Sequence, residues 1–380
     1  MSNDHDVDVV LVGPKKSTFK GFGDDLIYEP KEFTRGKLKL RLIDMSQKKY
    51  LLNDWISFDL FRLLKKEKPD FIYIVGMEVE WVNFICFFYK IVTRKFCKMA
   101  LFSMRGLDMP FNRPSYRLRW TMVKRFHDFM CVHYPKGKEI FQDQGKFKKP
   151  IYIQTQIGVN SEIFYPSEKS KTIKRQELSI PRDVFVFCYV ARIHEEKGIF
   201  DILEAFKHID FDFKLLILGN GKDSKKVKEK IVNFKLENKV KLLGYVENET
   251  EVAEYLNASD CLLHVPKTTK TWVDTFPLAV VQGMACSIAI IGSDSGAIPY
   301  QLGENGIIVK EHNPYEIRKV LMKLLERKIK AADYGSKLLE RATNCFEIEH
   351  LNRLLLDTVK DQLNNRNSII HDQTELYEKN

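Results

Sequence analysis

Short apolar runs alternate with longer amphipathic stretches along most of the chain, and that rhythm predicts strands and helices in turn. In the first half the strand-like runs are VDVVLVG (7–13), LKLRLID (38–44), DFIYIVG (70–76), KMALFSM (98–104), DFMCVHY (128–134) and PIYIQTQ (150–156). Between them WISFDLFRLLKKEK and YRLRWTMVKRF carry the helical period. The second half restarts with VFVFCYVAR, a helix from Lys197, KLLILGNG, a lysine-rich helix, KVKLLGYV, a helix over EVAEYLNAS, DCLLHVP and, further on, IAIIGSD. Such alternation calls for parallel sheets with helices on both faces. Between the halves PSEKSKTIKRQELSIPRD (166–183) is polar and reads as an interdomain linker. The expected organisation is a first domain over 1–166, a linker over 167–183 and a second domain over 184–345. A last helix over 346–364 and a frayed tail over 365–380 follow.

Length and charge sharpen this picture. At 380 residues the chain is long enough for two α/β domains of about 150 to 200 residues each. Its 44% hydrophobic and 29% charged residues are ordinary for a globular protein. No run reaches the roughly 18 apolar residues of a membrane span; WVNFICFFYKIV (81–92) is short and contains Lys90. The start, MSNDHDVDVV, is acidic where a secretory signal would be basic. Seven scattered cysteines show neither C-x-x-C nor a Cys/His metal spacing, which fits a reduced, cytoplasmic setting. The net charge of +10 lies wholly in residues 1–166, with 29 basic against 19 acidic residues; the rest balances at 32 of each. Within 84–150, 15 basic and 4 acidic residues are interleaved with aromatics. That face suits an anionic partner such as a membrane surface or an acidic acceptor, or is simply a solvated basic surface. No nucleic-acid motif accompanies it.

Two stretches could carry chemistry. In TWVDTFPLAVVQGMA (271–285) a helix opens near Pro277, whose missing N–H is no loss at a first helical position. The amides that follow form a partly positive helix start, which binds phosphate. Asp274 stands just before it as a cap or a ligand group, and Gln282 falls two turns later. In ARIHEEKGIFDILEAF (191–206) Arg192 follows a strand and Lys197-Gly198 precedes a helix. A guanidinium fork and an ammonium together suit a diphosphate, although singly each is an ordinary surface charge.

In combination and order these blocks closely resemble the donor-binding domain of retaining GT-B glycosyltransferases of family four. The resemblance covers 184–330, through ARIHEEKGIFDILEAF, LLILGNG, VKLLGYV, TFPLAVVQGMA, GSDSGAIP and ENGIIV. It is looser over 1–166, through VLVG, PDFIYIVG, FSMRGLD and QIGVNSEIFYP. It implies an α/β GT-B fold of two doubly wound, Rossmann-like domains facing across a cleft, with the last helix crossing back to the first domain. It also implies a nucleotide-diphosphate sugar donor, UDP- or GDP-linked, and a glycan or lipid-linked acceptor. Retention of configuration is implied too, with no cofactor and no resident metal; no D-x-D stands at a predicted strand end.

By the same resemblance Arg192 and Lys197 grip the diphosphate, and Thr275, Phe276, Pro277 and Leu278 offer it backbone amides. Tyr245 lies near the base, and Gly21 and Gly23 form a glycine loop against the donor. The family's two glutamates, on the donor sugar and on the ribose, correspond to Asp274 and Gln282. The acid is one methylene shorter and the amide loses the charge that strengthens a hydrogen bond. A His-Gly common in relatives is here Arg105-Gly106; Arg105 is expected to bind an acceptor group or to pair with Asp108. Because of these departures, a nucleotide-sugar-binding protein with little or no turnover is the alternative to an active transferase. Peripheral attachment to the cytoplasmic membrane face through 84–150 is a further expectation.

Overall fold

The computed structural model of the chain describes residues 59–76, 80–93, 97–110, 113–327 and 329–364 with their side chains; between 9 and 58 it describes the backbone of short elements alone. The chain divides into two units, Met1–Thr155 with Asn352–Thr374 and Gln156–Leu351 with Glu375–Asn380.

The first unit is built on four parallel strands, β1 (Phe71–Val75), β2 (Lys98–Ser103), β3 (Phe129–Val132) and β4 (Ile151–Ile153), in the spatial order β4-β3-β2-β1. Strands Val9–Pro14 and Leu38–Ile43 pair in parallel within the same unit. Helices α1 (Phe58–Glu67), α2 (Trp81–Thr93) and α3 (Pro114–Phe126) link these strands, and α3 opens on a proline as its missing N–H allows. Every residue of β3 is buried, the mark of a strand covered on both faces.

The second unit holds six parallel strands, β5 (Phe185–Val190), β6 (Phe213–Leu218), β7 (Val240–Gly244), β8 (Cys261–His264), β9 (Ala289–Ser293) and β10 (Ile307–Val309). Their order is β7-β6-β5-β8-β9-β10. The period-2 alternation divides the core into two. Phe187, Tyr189, Leu215, Ile217, Leu263 and Ile291 meet helices α5 (Ile199–Phe206), α6 (Ser224–Asn233) and α9 (Pro314–Leu325). Val186, Cys188, Leu216, Leu218, Leu262 and Ile290 meet α7 (Glu249–Ala258), α8 (Leu278–Ala285) and α10 (Ala331–Cys345). The α/β reading of the sequence, with a parallel sheet in each unit, is the architecture found.

The linker expected over 167–183 is instead mostly helix. In α4 (Glu168–Glu177), Ser167 caps the start by accepting from Ser170 N. Arg175 is buried, donating to the carbonyls of Ala258, Arg182 and Val184 and to the Asp260 carboxylate. Polar residues here face protein groups rather than solvent, so the unit boundary falls near 155. The last helix, α11 (Ile348–Leu363), begins in the second unit and from Asn352 counts with the first, where Gln362 donates to the Tyr152 hydroxyl. All seven cysteines are buried, and burial pushes the Cys86, Cys188 and Cys286 thiols up to about 12, which leaves them poor nucleophiles at neutral pH.

Candidate active site

The strand order of the second sheet reverses between β5 and β8. Open doubly wound sheets bind ligands beyond the carboxyl ends of the strands at such a point. The two loops leaving β5 and β8 carry Arg192, Lys197 and Asp274.

The loop after β5 is held from below by Gly219-Asn220-Gly221. Ile193 N donates to Asn220 O at 2.9 Å, and the Asp223 carboxylate accepts from Glu195 N at 3.0 Å. A Cβ on Gly219 would stand 2.0 Å from the Ala191 carbonyl oxygen, so the two loops touch backbone to backbone. The Arg192 guanidinium is half-buried and makes no hydrogen bond or ion pair with another described residue. Lys197 ends a single turn of 3-10 helix, and Gly198, with φ of 77°, turns the chain into α5.

The loop after β8 returns beside Lys197. Lys267 N donates to Glu196 O, and the Lys267 ammonium reaches Asp201 at 2.9 Å. The Thr269 and Trp272 backbones and the Thr269 hydroxyl close a tight turn, which sets the Trp272 ring 4.6 Å from the Lys197 ammonium. Asp274 follows, buried at 8% exposure. Its Oδ2 accepts from Lys197 Nζ at 2.6 Å and lies 3.2 Å from His264 Nε2, while Oδ1 has no protein partner among the described residues. Burial opposes the charge on Asp274, but the His264 bond and the Lys197 ammonium outweigh it and hold the carboxyl well below the usual carboxylate range. Burial pushes the His264 pKa down, with the Asp274 bond opposing, so the ring is neutral at physiological pH.

Asp274 does not cap α8: no side chain does, and Pro277 is itself the capping residue, with ψ of 115°, rather than the first helical one. Leu278 and Ala279, first in the helix, have no carbonyl within it to receive their amides. Phe276 is largely core, 6% exposed and edge-on to Phe346 at 5.6 Å, so only its backbone can serve a ligand. Thr275 is half-buried and Leu278 exposed. Gln282 lies on α8 at 7% exposure, buried rather than a surface amide. Tyr245 is exposed just beyond Gly244, whose carbonyl receives Gly219 N at 2.6 Å, so the same glycine loop supports both regions.

In the first unit Arg105 donates to the carbonyls of Leu107 and Asp108, not to the Asp108 carboxylate, which takes Gln144 Nε2 at 2.6 Å. The expected Arg105–Asp108 ion pair is therefore replaced by backbone contacts. Gly21 and Gly23 lie outside the described residues.

Four features escaped the sequence reading: His264, Trp272, Asp223 and the Gly219-Gly221 support. The first sat in an apolar strand as its one polar residue, which was the available signal.

The sequence profile of the family described as Glycosyl transferases group 1 matches residues 170–340. The match covers somewhat less than half of the chain and marks this region as similar to that family. An uncharacterized glycosyltransferase of Methanocaldococcus jannaschii is 24% identical over 305 residues, covering 77% of this chain and 68% of that protein. Alpha-monoglucosyldiacylglycerol synthase of Acholeplasma laidlawii is 27% identical over 286 residues, 73% of this chain and 64% of that protein. Matches to three other relatives span only 42% to 56% of their lengths. Among solved structures, Anabaena HepE in complex with UDP superposes with a TM-score of 0.69 at 17% identity, covering 86% of this chain and 87% of HepE. Arg192, Lys197 and Asp274 all lie inside the matched region.

Proposed function

We propose that this chain is a group 1 glycosyltransferase that moves a sugar from a nucleotide-diphosphate donor to a hydroxyl of a glycan or lipid-linked acceptor with retention of configuration. The observation that carries the reading is the convergence, at the switch point of the second sheet, of Lys197, the buried ionised Asp274 and the unengaged Arg192 guanidinium. Cleaving the sugar–phosphate bond places negative charge on the leaving diphosphate. Arg192 and the first amides of α8, joined by Lys197 once it turns from Asp274, stabilise that charge, the largest single contribution such a site can make. The acceptor oxygen bonds to the anomeric carbon on the face the diphosphate leaves, and its proton passes to a phosphate oxygen. Two cations and a helix start serve the diphosphate without a divalent metal, so activity should survive chelation by EDTA.

Asp274 orients the sugar through its unpartnered Oδ1. The shorter acid keeps the family's charge, and its ionisation is enforced by Lys197 and His264, which favours turnover over a purely binding role. A UDP-linked donor is the first to try, since HepE is seen with UDP. For the acceptor, the outward side chains of Phe88, Ile91, Val92 and Leu118 are each more than half exposed, and Arg113, Arg117 and Arg125 stand exposed at and along α3. An anionic membrane carrying a lipid-linked acceptor fits that surface, each basic residue near it contributing of order 1 kcal/mol. The relative that makes a glucosyldiacylglycerol lends this support. Binding to vesicles containing anionic lipid should weaken as salt rises; binding that ignores salt, or none, removes the membrane.

The donor is tested by thermal shift with UDP-, GDP-, ADP- and dTDP-sugars on the wild type and Arg192→Ala. A ligand at 100 times its Kd stabilises by about 2.7 kcal/mol. Because the Arg192 guanidinium has no partner to lose among the described residues, the variant should melt like the wild type and lose the ligand-induced shift. A shift retained in full by the variant would take Arg192 out of the site.

A further inference from the structure

We propose that His264 is a positioning residue of the donor site: its neutral ring donates Nε2–H to Asp274 Oδ2 and keeps that carboxylate in place when an incoming diphosphate draws Lys197 away. The inference rests on the donor-site reading above and deepens it.

The geometry creates the problem that His264 solves. Lys197 and His264 share one oxygen of Asp274, at 2.6 and 3.2 Å, and only Lys197 is long and flexible enough to turn to a phosphate. Once Lys197 turns, a carboxylate only 8% exposed loses its ion pair. An unpaired buried charge is expensive, and it would relax by rotating toward solvent or taking up a proton. Either change would spoil Oδ1 as an acceptor for a sugar hydroxyl. His264 cannot follow Lys197: it ends β8, where both flanking strands pair with its own, and it is 2% exposed.

The ring's own hydrogen bonding selects its state. Nδ1 is fully buried and has no partner among the described residues. With the proton on Nε2, the only unmet group is the Nδ1 lone pair. The opposite tautomer would set the Nε2 lone pair against the Asp274 oxygen and leave a buried Nδ1–H without an acceptor. The imidazolium would leave that N–H unmet as well, and an unmet buried donor carries its full desolvation penalty. The neutral Nε2–H ring is therefore the form this site holds, before and after Lys197 moves.

Two measurements test this on the full chain. Histidine-labelled protein, with the His264 resonance assigned from His264→Gln, reports the tautomer directly by long-range proton–nitrogen correlation, with UDP or GDP added as probes. A protonated Nε2 beside a bare Nδ1, unchanged when nucleotide saturates, is expected; an Nδ1–H ring or an imidazolium overturns the proposal. Donor turnover then separates positioning from mere structure. His264→Leu should lower kcat by about tenfold or more, the worth of one hydrogen bond to a charged group. His264→Gln, whose amide N–H reaches the same place, should recover most of it. In an Asp274→Asn background His264→Leu should add little, because a residue acting through a partner has nothing left to act on. Equal turnover in His264→Leu and wild type, or a full further loss in the double variant, refutes the inference while nucleotide binding still stands. No thermal shift with any nucleotide in the wild type would instead refute the donor-site reading itself.

Discussion

Gly198 shows how narrowly the site is specified at the scale of one residue. Its φ of 77° is left-handed, and a Cβ there would stand 1.9 Å from the Val265 carbonyl oxygen. Gly244 has nearly the same φ, 78°, but a Cβ would meet nothing nearer than Asn220 Oδ1 at 3.9 Å. The left-handed conformation alone disfavours an L-residue by about 1 to 2 kcal/mol. Gly244→Ala should therefore cost about that much. Gly198→Ala must also push apart two backbones at the ends of β5 and β8, and should cost more than about 3 kcal/mol while displacing Lys197 from Asp274. Urea unfolding of the two variants, with nucleotide-induced stabilisation measured alongside, checks the difference; equal losses would mean the close approach to Val265 is not a constraint. Arg192 was legible because it ends an apolar run, and Lys197 and Asp274 because each stands just before a helix-like run. His264 and Trp272 were not, since what they do depends on which loops meet in space, and the sequence does not carry that.

At the scale of elements the strands and most helices could be read directly, because burial on both faces imposes apolar runs and burial on one imposes the helical period. The stretch 166–183 misled for a physical reason. In α4 the inward positions are Lys174 and Arg175, and they bury their charges by serving carbonyls and carboxylates instead of apolar contacts. Hydrophobic patterning cannot see such a helix. Asp260 is its anchor, accepting from Lys171 at 2.9 Å, Arg175 at 2.7 Å and Val186 N at 2.8 Å. These groups lie before β5 and β8, at the amino ends of the strands, whereas Arg192 and Asp274 follow their carboxyl ends, about a strand length of 13 to 20 Å away. Arg175→Met should thus destabilise the second unit by about 3 kcal/mol, the usual consequence of removing one partner of a buried pair. Nucleotide affinity, measured well below the melting temperature, should stay within about twofold, as distant sites act independently. A large loss of affinity would show that α4 helps shape the site.

For the whole molecule, two units imply two stabilities, and the buried histidines set their response to acid. In the first unit burial lowers the His127 pKa to about 4 and the His133 pKa to about 3, against 6.5 for a free ring. Below pH 6.5 the unfolded chain takes up protons that the folded unit refuses, so stability falls as pH falls, and the loss ends only when the native rings also titrate. Between pH 6.5 and 4.5 each ring should remove about 2 to 3 kcal/mol, since one pKa unit is worth about 1.4 kcal/mol. Asp274 in the second unit works in another window: its depressed pKa contributes stability above the ordinary carboxylate range that fades only as pH falls through about 4 and below. The second unit also holds one buried ring with a lowered pKa, His264, against two in the first, so the first unit should lose more stability and unfold first on mild acidification. Trp55, Trp81 and Trp120 all belong to that unit, and Trp272 is the sole tryptophan of the second, so Trp272→Phe gives a chain whose fluorescence reports the first unit alone. Its urea midpoint should drop steeply from pH 6.5 to 4.5, and His127→Gln should remove about half of that slope. A midpoint flat across this range would mean that the two rings are protonated as readily in the folded unit as in the unfolded chain, and the burial argument for them would fail.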